Sequence, residues 1–124
     1  MKLLTAFVRT SRIDEVIQAL HEAGAPGITV IVGVHAVDYD YLPIEFSWTP
    51  GELGRAPEVL EVQVVCREKD CDRLLDVLVE AAQTGLKGDG LAFVSDVARA
   101  VRIRTREEGP EVVRNRAEIR GGTE

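Results

Sequence analysis

TGLKGDGLAFV, Thr84–Val94, followed by VRIRT at Val101–Thr105, is the stretch that decides how this chain folds. Gly88, Asp89 and Gly90 set two glycines around one carboxylate, between a helical pattern upstream and an apolar strand pattern downstream. Glycine admits positive φ and a close approach of backbone to a neighbour. Such a loop can turn several N–H groups toward an anion. Arg102 and Arg104 alternate along what reads as extended chain, which places both guanidinium groups on one face. Backbone donors with two arginines form a phosphate-binding pattern. Read alone, a Gly-Asp-Gly triplet is equally a tight helix-to-strand turn, and the two arginines equally form ion pairs at a subunit contact.

Upstream of the loop, Lys69–Gln83 has helical spacing, with Leu74, Leu75, Leu78, Ala81 and Ala82 on one face. Before it, Val59–Cys66 alternates Val62 and Val64 with Glu61 and Gln63, the period of a half-buried strand. Met1–Arg9 reads as the first strand. Ser11 and Asp14 have the spacing of a capping box, and Ile13, Val16, Ile17, Leu20 and Ala23 form the apolar face of a first helix. Gly24 supplies its C-terminal stop. Ile28–Val34 is rich in β-branched residues and reads as a buried strand. Downstream of the loop, Leu91–Ser95 is the fourth strand, and Asp96 is expected to cap one short turn.

The order is β-α-β-β-α-β. It predicts an α+β, ferredoxin-like βαββαβ sandwich: an antiparallel sheet with two helices on one face and a long loop between strands 2 and 3. The loop spans 37–56, within a segment carrying Pro43, Pro50, Gly51, Gly54 and Pro57 with Tyr39, Tyr41, Phe46 and Trp48. A loop of that length in a small domain is usually functional or mobile. The regular domain is expected over 1–109, ending at Gly109-Pro110, with a polar, mobile tail over 110–124. Two helices cover one sheet face only, so the other face needs a partner.

A chain of 124 residues, 45% apolar and 29% charged, has the composition of one soluble domain. Its core is small enough that association would add useful burial. A net charge of −6 argues against a general nucleic-acid binder. The opening apolar run, Leu3, Leu4, Ala6, Phe7 and Val8 before Arg9, is too short for a secretory leader. No segment reaches the ~20 apolar residues of a membrane span, so a cytoplasmic protein is expected. Cys66 and Cys71 lack metal-site spacing and read as two reduced thiols, one in a strand and one starting a helix. His35 with Asp38, Asp40 or Glu45 could hold a divalent metal, although an acidic, solvated loop with one incidental histidine explains the same residues.

The whole of Ala81–Gly109, AAQTGLKGDGLAFVSDVARAVRIRTREEG, resembles the carboxy-terminal third of the PII family of signalling proteins. Met1–Val30 is similar to the opening strand, first helix and second strand of the same family. The resemblance covers roughly three quarters of the chain. It implies a homotrimer that binds ATP or ADP in the clefts between subunits, without being an enzyme and without a catalytic cofactor. Carried over residue by residue, it implies nucleotide-binding roles for Thr29, Thr84, Gly88, Asp89, Gly90, Arg102 and Arg104.

The departures bear on function. The family's lysine or arginine after the GDG loop is Leu91, and its Gly-rich loop entry is replaced by His35-Ala36-Val37-Asp38-Tyr39-Asp40. ADP or AMP is therefore as good a candidate effector as ATP. The loop tip, Thr49-Pro50-Gly51-Glu52-Leu53, lacks the tyrosine that some members modify. The expected function is a signalling protein that regulates a membrane transporter or metabolic enzyme through its loop, as in nitrogen regulation. The competing reading is a divergent PII-like sensor of a metal or anion, linked to metal efflux or carbon transport, with nucleotide binding reduced or lost. No nucleophile–base pair or paired catalytic carboxylates support an enzyme.

Overall fold

The computed structural model describes residues 1–36 and 57–120. The loop expected over 37–56, with Asp38, Asp40, Glu45 and its aromatic residues, lies outside them. The described elements are strands β1 (Lys2–Arg9), β2 (Thr29–His35), β3 (Glu58–Cys66) and β4 (Gly90–Asp96), and helices α1 (Ile13–Glu22), α2 (Glu68–Ala82) and α3 (Arg116–Arg120). They form one four-stranded sheet in the order β2-β3-β1-β4. Every neighbouring pair is antiparallel. This is the ferredoxin-like α+β arrangement that the element order implies.

Period-2 patterning decides which face is covered. Leu4, Ala6 and Val8 of β1 lie opposite Val64, Val62 and Leu60 of β3, and directly paired residues share a face. Leu4, Ala6, Val8, Val62, Val64 and Cys66 are almost fully buried beneath Val16 and Leu20 of α1 and Leu74 and Leu78 of α2. Each large side chain among them stabilises the fold by about 1.5–3 kcal/mol relative to exposure. The opposite face carries Leu3, Thr5 and Phe7 of β1 with Leu91 and Phe93 of β4. No helix of the described chain covers it.

Five local expectations need correction. A single turn of 3-10 helix at Thr10–Arg12 precedes α1, and no side chain caps the helix. Ser11 is therefore not a cap. The junction is held instead by the Arg12 guanidinium, whose Nε and Nη2 reach the Ala81 carbonyl at 3.0 and 2.7 Å and tie the start of α1 to the end of α2. β2 is an edge strand, not a buried one. Val32 is 73% exposed where the β2–β3 register breaks between Ile31 and Val34 on this edge strand. Asp96 ends β4 and pairs with Lys2 rather than capping a turn.

The segment carrying Arg102 and Arg104 is not extended. It folds back on itself between Val101 and Glu108, which form an isolated bridge. The Arg102 N–H donates to Glu107 O and the Arg106 N–H to Arg102 O, both at 2.8 Å. Finally, the chain beyond Pro110 is not a loose tail over the described residues. A 3-10 turn at Pro110–Val113 and helix α3 dock on the domain, burying Val113 and Asn115.

Asn115 explains the docking. Its Nδ2 donates to the Ala23 carbonyl at 3.0 Å, and its Oδ1 accepts the Ala117 N–H at 2.9 Å. The Arg116 N–H reaches Gly24 O at 2.8 Å. The acceptors come from the end of α1, where Gly24 at φ +84° closes the helix. Its N–H and that of Ala25 return to His21 O and Leu20 O, each at 3.0 Å, the pattern of a Schellman C-cap. Farther on, Glu118 forms ion pairs with Lys69 and Arg67.

Among the described residues no helix is long and apolar enough to cross a membrane. Cys66 closes β3 and Cys71 sits in the first turns of α2, both buried as free thiols. Burial pushes the Cys66 thiol up to about 11 and raises Cys71 as well.

Candidate functional site

The loop between α2 and β4 is built around the side chain of Asp89. α2 stops when the Gln83 N–H makes its last helical bond, to Val79 O at 3.0 Å. The next two N–H groups then turn to Asp89. Thr84 N and Gly85 N donate to its Oδ2 at 2.8 and 2.9 Å. The Thr84 hydroxyl donates to Oδ1 and accepts the Leu86 N–H at 3.2 Å. One carboxylate and one hydroxyl thereby satisfy three consecutive backbone donors.

Arg9, the last residue of β1, supplies the counter-charge. Its Nε donates to Asp89 Oδ1 at 2.9 Å, and its Nη2 donates to the Lys87 carbonyl at 2.6 Å. Both side chains are about a quarter to a third exposed. The Thr84 hydroxyl first, then Arg9 and the Thr84 and Gly85 N–H groups, hold the Asp89 carboxyl well below the usual carboxylate range. Each of these contacts favours the ionised form.

Gly90 is required where the loop enters the sheet. It has φ +108°, and a Cβ there would lie 1.8 Å from the Phe7 carbonyl oxygen. Gly88, at φ +93°, makes the preceding turn. The triplet is thus a tight helix-to-strand turn. Of its three residues, Asp89 directs its charge inward, to the loop's own donors and Arg9.

The other candidate residues lie elsewhere. Arg102 uses Nη2 to reach the Val112 carbonyl at 3.1 Å. It lines an open hollow of about 280 Å³ with Arg99, Val65 and Val112. Arg104 stands in the turn at 103–105, beside Ile103, which is 96% exposed. The two guanidinium groups therefore do not share the face of a strand. Thr29 opens β2 on the uncovered sheet face, in a row that runs Thr29–Gln63–Thr5–Phe93 across all four strands. Three strand spacings, about 14 Å, separate it from the β4 edge where the loop at 84–90 joins. One chain brings Thr84, Asp89 and Gly90 together. It does not bring Thr29 to them.

Arg9 was missed in the sequence. The signal was present: antiparallel pairing of Val8 with Gly90 sets the next residue of β1 beside the residue before Gly90. Reading it required the register, which the sequence alone does not supply. An apolar cleft of about 180 Å³ also lies between the end of α2 and β4, bounded by Leu78, Val79, Ala82 and Ala92 on the helix side of the sheet. It is small for an organic ligand. Among the described residues, no group of three or more His, Cys, Asp or Glu side chains is arranged to hold a metal ion. A metal site at His35 would need Asp38, Asp40 or Glu45, which lie outside those residues.

Comparison with known proteins places this sequence in a family. A family profile described as "Nitrogen regulatory protein P-II" matches residues 48–107. Nitrogen regulatory protein P-II 2 of Methanothermobacter thermautotrophicus is 32% identical over 118 residues, covering 91% of this chain and 97% of that protein. Nitrogen regulatory protein P-II of Bradyrhizobium diazoefficiens is 34% identical over 122 residues, covering 91% of this chain and all of its relative. Nitrogen regulatory protein P-II 1 of Escherichia coli K12 is 34% identical over 119 residues, covering 87% and 96%. The chain belongs to the nitrogen regulatory protein P-II family.

Proposed function

We propose that this protein is a non-enzymatic, cytoplasmic P-II-type regulator that binds an adenine nucleotide between the subunits of a homotrimer. It passes the signal to a membrane transporter or metabolic enzyme through the loop at 37–56. Family membership sets the class. The observation that carries the nucleotide reading is the separation of the candidate residues: Thr29 lies on one sheet edge and the loop at 84–90 on the other. Within one chain a ligand touching both would have to span about 14 Å, and a neighbouring chain would shorten that reach. The uncovered sheet face, with Leu91 61% exposed and Phe93 and Ile31 also exposed, offers the apolar surface that such an association would bury.

The base of the loop suits a signalling role. β2 and β3 remain paired up to His35 and Glu58, and the Ala36 N–H then donates to Pro57 O at 3.1 Å. Ala36 and Pro57, which flank the segment at 37–56, are therefore held side by side.

The second reading is a P-II-like sensor of a metal or anion serving metal efflux or carbon transport. Leu91, an apolar residue directly after the GDG triplet, favours it, because it contributes no charge to a phosphate. Sedimentation equilibrium combined with calorimetry separates the readings. A trimer that takes up ADP, ATP or AMP at micromolar to millimolar concentration supports the first. A protein that binds none of the three at millimolar concentration, but responds to a divalent cation or bicarbonate, replaces it with the second. A monomer removes the inter-subunit site altogether.

A further inference from the structure

We infer that Arg9 is a charge-compensating and positioning residue of the loop at 84–90, and that it sets how strongly this loop tolerates added phosphates. The inference rests on the nucleotide reading above and names the residue that makes it chemically workable. Asp89 places a full negative charge at the centre of the loop expected to receive an anion. The three loop N–H groups from Thr84 to Leu86 are already engaged by Asp89 and Thr84, so they do not offset a phosphate. Leu91 contributes no charge. Arg9 does both jobs with one side chain. Its Nε at 2.9 Å neutralises Asp89, and its Nη2 at 2.6 Å fixes the Lys87 carbonyl.

The placement follows from the sheet. Arg9 is two residues beyond Phe7 and therefore on the same, uncovered face. Phe7 is paired with Leu91, so Arg9 is the diagonal neighbour of the position that lacks a cation. The guanidinium thus stands where the loop meets the face that also carries Thr29. Two geometric constraints, one on a carboxylate and one on a carbonyl, need the planar fork of arginine. Lysine would keep the charge and hold only one of them.

The consequence is a loss graded by ligand charge. Without Arg9, Asp89 remains ionised by its Thr84 and Gly85 contacts and repels whatever anion approaches. A residue that merely shaped the loop would, when removed, weaken AMP, ADP and ATP alike. The test is calorimetric titration of these three nucleotides, without magnesium and at one salt concentration. The proteins are the wild type, Arg9→Gln, Arg9→Lys, Asp89→Asn and the double variant Arg9→Gln/Asp89→Asn, each checked for folding by circular dichroism.

Arg9→Gln should weaken binding by a factor that grows by about fivefold with each added phosphate. Arg9→Lys should retain most of the ordering between nucleotides. The double variant, which removes the uncompensated carboxylate, should restore the wild-type ratio of ATP to AMP affinity. An equal loss for all three nucleotides, or no loss, in Arg9→Gln overturns the inference and leaves nucleotide binding intact. A double variant no better than Arg9→Gln overturns it too. Absence of nucleotide binding in the wild type instead removes the functional reading on which the inference stands.

Discussion

Gly90 and the Phe7 carbonyl are in direct backbone contact: a Cβ on Gly90 would come to 1.8 Å from the Phe7 oxygen, with the Phe7 carbonyl carbon at 2.9 Å. The obstacle is the main chain of β1, the strand at the centre of the sheet with β3, and it cannot swing aside as a side chain can. The positive φ of 108° adds strain for any L-residue.

Gly90→Ala is therefore expected to destabilise the fold by about 3 kcal/mol or more. For a domain of this size that lowers Tm by roughly 10 °C. Gly27→Ala is the control, because no atom lies within 4 Å of the position of its Cβ. It should change stability by no more than about 0.5 kcal/mol. Thermal melts followed by circular dichroism compare the two. Equal melting temperatures would mean that β4 can shift away from β1 at little cost.

Asn115 and Gly24 offer a test of the docked C-terminal segment. A Cβ on Gly24 would sit 2.2 Å from Asn115 Oδ1. Asn115→Ala should cost about 1–2 kcal/mol. The loss is limited because the Ala23 carbonyl keeps its 2.8 Å bond from Arg73 Nη1. Gly24→Ala should cost more, through both the clash and its φ of +84°. In the Asn115→Ala background the clash disappears and only backbone strain remains. A double-mutant cycle by urea denaturation should therefore give a clearly favourable coupling between the two substitutions. Strict additivity would show that the segment at 110–120 is not seated on Gly24 in solution.

Much of this fold was legible because it rests on local periodicity. Val62 and Val64 announce the inward face of β3, and Leu74 and Leu78 that of α2, from spacing alone. Thr84 to Gly90 could be read as a turn because glycine marks it. What the sequence concealed depends on partners distant along the chain. Arg9 meets Asp89 eighty positions away, and Asn115 meets Ala23 ninety-two positions away. The exposure of β2 follows from its place at the sheet edge, which its β-branched composition does not report. Arg102 and Arg104 alternate in the sequence like strand residues. The bonds of Arg102 to Glu107 and Arg106, with Arg106 at φ +64°, fold the chain into a turn instead.

The Asp89 carboxyl provides a pH-dependent signature. Its folded value lies below its unfolded value of about 3.9. It therefore contributes stability in full above that value and loses the contribution as pH falls through the folded value. Carboxyl carbon shifts measured by NMR should show Asp89 still ionised at pH 3, when ordinary surface carboxylates are mostly protonated. Thr84→Val removes the largest cause, the hydroxyl donor, and should move the Asp89 transition up toward the ordinary value. If Asp89 titrates near pH 4 in the wild type, the carboxylate does not organise the loop.

Leu91 decides the last expectation, which concerns the choice of ligand. It is 61% exposed on the uncovered face, paired with Phe7 and two positions from Phe93. The strand should accept a long polar side chain there without repacking the core. Leu91→Lys would place a second cation diagonally across from Arg9, about 7–8 Å away across the strand pair. Coulomb attraction grows with ligand charge, so ATP should gain most from the added ammonium and AMP least. Without magnesium, the wild type is expected to bind ATP no more tightly than ADP or AMP, and Leu91→Lys to shift the preference toward ATP. Sedimentation of the variant guards against a trivial cause, a change of assembly state. A variant with the wild-type assembly state but unchanged nucleotide preference would place the phosphates away from Leu91. A strong ATP preference already in the wild type would mean that residues beyond this loop, rather than Arg9 and position 91, supply the charge.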